Sequence, residues 1–200
     1  MSDNTQTADN SNGVKNAFII HGAYGNPDEN WIPWLRTELE SSGYNVFAPQ
    51  FPTPEGQSYD SWMNVIELHL SEFNKKTVLI GHSIGATFAL SILEKLDVQI
   101  AKTALVAGFV GSFEGKYANQ MFDSINKTIA EREFDWEKIK NNSKEFYILY
   151  GNNDPYVPPE KPHELGKHLQ VEPIVIPGGG HLNEDADFLK FPELLQVIEK

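Results

Sequence analysis

Thr77-Val78-Leu79-Ile80-Gly81-His82-Ser83-Ile84-Gly85-Ala86-Thr87-Phe88-Ala89-Leu90-Ser91-Ile92-Leu93 is the stretch that decides the fold. Its first four residues are apolar or β-branched and bounded by glycine, the signature of a short buried strand. Its last eight, Ala86–Leu93, are almost entirely apolar or small and predict a buried helix. Between them Gly81-His82-Ser83-Ile84-Gly85 has the form Gly-x-Ser-x-Gly. A serine on so sharp a strand-to-helix turn is held in a strained backbone conformation with its hydroxyl presented outward. Gly81 and Gly85 flank it because a β-carbon at either position would crowd the turn.

Working outward, the same strand-then-loop pattern recurs with other chemical groups at the loop. Tyr147-Ile148-Leu149-Tyr150 runs into Gly151-Asn152-Asn153-Asp154-Pro155, a strand ending in an acid-bearing loop. Val171-Glu172-Pro173-Ile174-Val175-Ile176 runs into Pro177-Gly178-Gly179-Gly180-His181, a strand ending in a glycine-rich loop with a histidine. Phe18-Ile19-Ile20 runs into His21-Gly22-Ala23-Tyr24-Gly25. Strands are expected at residues 16–20, 45–48, 77–80, 103–108, 145–150 and 172–176. Helices are expected at residues 31–42, 58–73, 84–96, 135–141, 161–169 and 191–199. Six buried-type strands alternating with helices imply a parallel sheet covered on both faces, joined by right-handed crossovers. The expectation is therefore an α/β fold, a three-layer α/β/α sandwich around a mostly parallel six-stranded sheet. Residues 109–134 fit this alternation poorly. They hold helical patches such as 119–132 and follow the fourth strand, so they are placed over the strand C-terminal ends, too short for a large cap domain.

With 200 residues, 40% of them hydrophobic and 12% aromatic, one globular domain over residues 14–200 is expected. Residues 1–13 are polar and lack core-forming side chains, which predicts a disordered tail. A formal net charge of −12 argues against nucleic acid and against an anionic membrane surface. No apolar run is long enough to span a membrane, and the N-terminal residues lack the apolar core of a secretory signal; the cytoplasm is the expected location. The chain contains no cysteine, which removes disulfides, thiolate metal sites and cysteine nucleophiles. The six histidines show no recurring ligand spacing with carboxylates, so no metal site is expected.

Ligands of open α/β sheets bind beyond the C-terminal ends of the strands, where all four loops lie. A serine nucleophile needs a general base, a group that orients the base, and donors for a developing oxyanion. Ser83 is the candidate nucleophile, His181 the base and Asp154 the orienting carboxylate. The N–H of Ile84 is one expected oxyanion donor and that of Ala23 the other, with Tyr24 as its alternative. Asp185 and Asp187 compete with Asp154 because they follow His181 closely in sequence. His69, His163 and His168 sit on helices; His82 is expected to point toward the sheet or a neighbouring element, and His21 to shape its loop by hydrogen bonding. Tyr24, Phe109, Tyr156 and Leu182 border the expected site and are candidates for lining an acyl pocket.

His-Gly after the first strand, Gly-His-Ser-x-Gly, Gly-x-x-Asp-Pro-x-Val-Pro and a late Gly-His together resemble the α/β-hydrolase superfamily. Trp31-x-x-Trp34-Leu35, Asp135-Trp136-Glu137-Lys138-Ile139 and Gly180-His181-Leu182-Asn183 resemble its small serine-hydrolase branch, from about Asn16 to Lys200. The resemblance implies a strand order of 2-1-3-4-5-6, without the two N-terminal strands of larger members. It implies hydrolysis of an ester, thioester or amide of a small-molecule acyl substrate through an acyl-serine, with no cofactor. A binding or interaction module with the hydrolase fold and negligible turnover is the alternative, and an acyltransferase would use the same residues.

Overall fold

A computed structural model describes residues 13–200, including all their side chains except those of residues 120–123. The tail expected at residues 1–13 lies, but for Gly13, outside the described residues. Six strands alternate with helices: β1 (Lys15–Ile20), α1 (Ile32–Ser41), β2 (Tyr44–Phe47), α2 (Tyr59–Glu67), β3 (Val78–His82) and α3 (Ile84–Lys95). Then come β4 (Ile100–Val106), α4 (Gln120–Ala130), α5 (Trp136–Asn141), β5 (Ser143–Gly151), α6 (Glu160–Leu169), β6 (Ile174–Ile176) and α7 (Pro192–Glu199). The sheet order is β2-β1-β3-β4-β5-β6 and every neighbouring pair is parallel. The order reverses direction at β1, so the C-terminal ends of β1 and β3 flank the switch point where such sheets open a crevice.

Side-chain alternation along the strands builds two cores. Phe18 and Ile20 of β1, with Leu79, Leu105 and Ile148, face α2, α3, α5 and α6. Ala17 and Ile19, with Val78, Ile80, Ala104, Val106 and Leu149, face α1 and α7. Each helix supplies an apolar stripe to its face: Ile32, Leu35 and Leu39 from α1; Trp62, Met63 and Ile66 from α2; Leu194, Val197 and Ile198 from α7. α3 is buried along nearly its whole length, Ile84 through Leu93, because it lies against the middle of the sheet under the other helices.

Some bounds differ from expectation: β4 spans Ile100–Val106 rather than 103–108, and β6 starts at Ile174 rather than 172. The helix expected over residues 58–73 ends at Glu67; Leu68 faces solvent, and a 3-10 turn at Leu70–Glu72 drops Phe73 against Phe18, ring centroids 4.0 Å apart. That long-range contact competes with continuation of the helix and is invisible to local periodicity. Residues 109–134 form a 3-10 turn (Gly115–Tyr117) and α4, which packs on α3. Arg132 pins the end of this segment to α3 through Ser91 Oγ and Glu94 Oε2, both at 2.7 Å, while stacking over Tyr59. Among the described residues no helix is long and apolar enough to cross a membrane.

Candidate active site

The turn between β3 and α3 places Ser83 at φ 56° and ψ −126°. This is a sparsely populated conformation for a residue with a β-carbon. The surroundings over-determine it. The Ser83 N–H donates to the Val106 carbonyl at 2.8 Å, which anchors the turn to β4. Gly85 lets the first turn of α3 approach the end of β1, since a β-carbon there would lie 2.3 Å from the His21 carbonyl oxygen. Ser83 is 3% exposed, and the small part of its surface that remains lines a cleft of about 540 Å³.

His181 lines the same cleft. Its Nδ1 donates to Asp154 Oδ2 at 2.7 Å, a pair almost wholly buried. That bond leaves Nε2 as the nitrogen free to take a proton. Asp154 is itself held: its Oδ1 accepts from the N–H groups of Tyr156 at 2.8 Å and Val157 at 3.0 Å. Asp154 follows β5 and His181 follows β6, neighbours in the sheet. Asn153 Oδ1 accepts from the Gly180 N–H at 2.8 Å and Asn152 Oδ1 from the Gly178 N–H at 2.9 Å, lacing the two loops together. These two asparagines escaped the sequence reading, although their place beside Asp154 in a loop facing the glycine-rich one was the available signal. Ser83 Oγ makes no hydrogen bond to a described group.

The loop after β1 lines the same cleft through Gly22, Ala23, Tyr24 and Gly25. His21 is buried, its Nδ1 donating to the Gly22 carbonyl at 2.8 Å and its Nε2 accepting from the Phe51 N–H at 2.9 Å. Burial holds its pKa below the usual histidine value, consistent with the neutral tautomer those bonds require. Both ring nitrogens are occupied in shaping the loop. The Tyr24 N–H donates to Thr53 Oγ1 at 2.7 Å. Among the described residues no acceptor meets the N–H of Ala23 or of Ile84, and Ala23 borders the cleft.

Of the four residues expected to line an acyl pocket, Tyr24 and Tyr156 do line the cleft and are about half exposed. Tyr156 stands edge-on to the His181 ring, centroids 5.1 Å apart. Phe109 and Leu182 lie away from it. Phe109 is buried against Phe113, ring centroids 4.7 Å apart, and Leu182 belongs to the core on the α1/α7 face. The segment between β4 and α4 contributes Lys116, Tyr117, Ala118 and Asn119 to the lining. Asp185 also borders the cleft and accepts from Asn183 Nδ2 at 3.5 Å, and Asp187 is in a left-handed turn after Ala186; among the described residues neither is hydrogen-bonded to His181. Among the described residues no group of histidines and carboxylates is arranged to hold a metal ion.

A parallel α/β/α sandwich with a strained serine after β3, an acid after β5 and a histidine after β6 has the α/β-hydrolase fold. A sequence profile of the family described as serine hydrolase matches residues 17–200, and the chain belongs to that family. It is 27% identical over 187 residues to the protein YdeN of Bacillus subtilis, covering 92% of this chain and 95% of that one. It is likewise 27% identical over 188 residues to the serine hydrolase RBBP9 of Rattus norvegicus, covering 92% and 93% of the two chains. The crystal structure of the B. subtilis ydeN product superposes with a TM-score of 0.83 at 26% identity, over 92% of this chain and 97% of that chain. Est1E of Butyrivibrio proteoclasticus shares the fold with a TM-score of 0.66 at 15% identity, over 96% and 92%.

Proposed function

We propose that the chain hydrolyses small esters, thioesters or amides through an acyl-serine intermediate, with Ser83 as nucleophile, His181 as general base and Asp154 as the orienting carboxylate. The observation that carries this reading is the Asp154–His181 bond together with a strained Ser83 that lines the same cleft as His181. In the acylation step Ser83 Oγ attacks the acyl carbon as its proton passes to His181 Nε2. The carbonyl oxygen becomes an oxyanion opposite the N–H groups of Ala23 and Ile84. His181 then gives the proton to the departing oxygen, sulfur or nitrogen as its bond to the acyl carbon breaks. Water repeats the sequence on the acyl-serine, His181 taking a proton from water and returning it to Ser83 Oγ as the acid is released. Asp154 stays ionised throughout and stabilises the imidazolium. Tyr24 and Tyr156 offer apolar walls for a short acyl or leaving group. A cleft of about 540 Å³, to which the short segment after β4 contributes residues 116–119, suits small substrates better than long acyl chains.

The test is labelling with a fluorophosphonate probe, wild type against Ser83→Ala, followed by p-nitrophenyl esters of rising chain length. Labelling of the wild type alone, with turnover falling beyond butyryl, is the expected result. A wild type that neither labels nor turns over would favour the binding-module reading.

A further inference from the structure

His82 is not used by the chemistry above, yet it is buried and aimed at the base. Its Nε2 lies 3.0 Å from the main-chain carbonyl oxygen of His181. A carbonyl only accepts, so Nε2 carries the proton and donates. One residue further on, the Leu182 carbonyl accepts from the indole Nε1–H of Trp31 at 2.9 Å. The two donor rings meet edge to face, centroids 5.9 Å apart, and the His82 ring also lies 5.0 Å from the His181 ring. All three residues are nearly inaccessible to solvent. Leu182 is held at φ 52°, a left-handed conformation that a branched side chain rarely adopts. A strained residue directly after the base, with its carbonyl and the preceding one each gripped by a buried ring N–H, marks a backbone fixed by more than its own turn.

We propose that His82 is a positioning residue, with Trp31 beside it. His82 ends β3 immediately before Ser83, so its side-chain bond to the His181 carbonyl ties the main chain of the base to the residue that precedes the nucleophile. Asp154 fixes the tautomer and tilt of the imidazole; His82 and Trp31 fix where the ring is rooted. The inference rests on the proposed roles of Ser83 and His181. Burial, and next the proximity of His181, pushes the His82 pKa down to about 3, so the ring stays a neutral single donor while His181 gains and loses its proton.

The experiment compares wild type, His82→Leu, His82→Gln and Trp31→Phe. A glutamine in this place keeps an N–H at the distance of Nε2, whereas leucine fills the space without one. With p-nitrophenyl acetate, His82→Leu is expected to lower kcat by about 10–100-fold with KM changed less than about 3-fold, the cost of misplacing a base by a fraction of an ångström to about 1 Å. His82→Gln should recover most of that loss, and Trp31→Phe should show the same kcat-weighted defect in milder form. The activity-independent readout is the NMR signal of the His181 ring, single in wild type and His82→Gln and broadened or doubled in His82→Leu. A wild type that neither labels nor turns over would overturn the roles of Ser83 and His181 but still leave this readout to judge the tether. A sharp, unshifted His181 signal in His82→Leu would overturn the proposal, as would equal loss of kcat in the leucine and glutamine variants.

Discussion

Gly151 lies so close to Gly180 that a β-carbon on it would sit 2.2 Å from the Gly180 carbonyl oxygen and 2.7 Å from the Gly180 nitrogen. The acid-bearing loop and the histidine-bearing loop touch backbone to backbone, one residue before the histidine and three before the acid. Real β-carbons do not approach backbone this closely, so Gly151→Ala must separate the loops. The expected outcome is a loss of about 10²-fold in kcat with an overpacking cost of about 1–3 kcal/mol in unfolding free energy. Steady-state kinetics and urea unfolding check it; wild-type kcat in a folded Gly151→Ala would show that the loops adapt without cost to the Asp154–His181 bond.

Ser83 combines function with backbone strain, and the two separate by substitution. Ser83→Ala should lower kcat on the order of 10⁴-fold or more, with the fold unchanged. Ser83→Gly should be equally inactive but more stable, because glycine adopts φ 56° without the cost of about 1–3 kcal/mol carried by other residues. The extra chain entropy of glycine offsets about 0.5–1 kcal/mol of that gain. Calorimetry should show a melting temperature a few degrees above wild type, roughly as a gain of about 1 kcal/mol predicts. A lower melting temperature for Ser83→Gly would mean that the turn stores no strain.

Three aspartates follow β5 or β6, and among the described residues only Asp154 hydrogen-bonds the base. Asp154→Asn should lower kcat by about 10²–10⁴-fold, since the amide offers His181 the wrong hydrogen-bonding partner. Asp185→Asn and Asp187→Asn should each change it by less than about 10-fold. Hydrolysis of one activated ester by the three variants, each checked by circular dichroism, decides the matter, and a larger loss in either later acid would withdraw Asp154 from its role.

Burial of neutral His82 makes folding pH-dependent in a definite direction. Its folded pKa, near 3, lies below the unfolded value near 6.5. Between those values the unfolded chain binds the extra proton, so this contribution to stability is complete above about pH 6.5 and is lost as pH falls toward 3. The slope reaches about 1.4 kcal/mol per pH unit for a single group. His181, Asp154 and His21 are the charged or titratable neighbours that bear on it, and His21, also shifted down by burial, adds a share of the same sign. Urea unfolding from pH 7 to pH 5 should show a steeper loss for wild type than for His82→Gln; identical slopes would mean that His82 takes up its proton as readily in the folded chain as in the unfolded one.

The cleft wall carries Glu29, Glu184 and Asp185 against a single lysine, Lys116, among the described lining residues. Such a wall raises the local concentration of cations and repels anions. A quaternary-ammonium ester should be cleaved several-fold more efficiently, in kcat/KM, than a carboxylate-bearing ester of equal size. The ratio should shrink in Glu184→Gln/Asp185→Asn and in salt of about 0.5 M, where screening acts within a few ångströms. Equal kcat/KM for both esters at low salt would remove charge from the specificity of the site.

Local sequence determined the parts of this protein that are local in physics. An apolar β-branched run, two glycines around a serine and an apolar helix can be satisfied together only by a buried strand, a tight turn and a buried helix. The alternation of such units implies the layered sheet, and the resemblance to α/β-hydrolases supplied its strand order. Tertiary structure decided what depends on which loops meet. Sequence places Asp154 ahead of Asp185 and Asp187 by its loop after a strand, but it does not show which acid meets the base. Only the parallel pairing of β5 with β6, and the backbone approach that Gly151 permits, brings Asp154 to His181. Phe109 and Leu182 border the site in sequence, yet each follows its own backbone into a core because burying a large apolar side chain outweighs facing an open cleft. His82 and Trp31 are 99 and 151 residues from the carbonyls they hold. No spacing rule links residues so far apart, and only the folded chain, with both rings sealed against the loop of the base, supplies the partners that their buried N–H groups require.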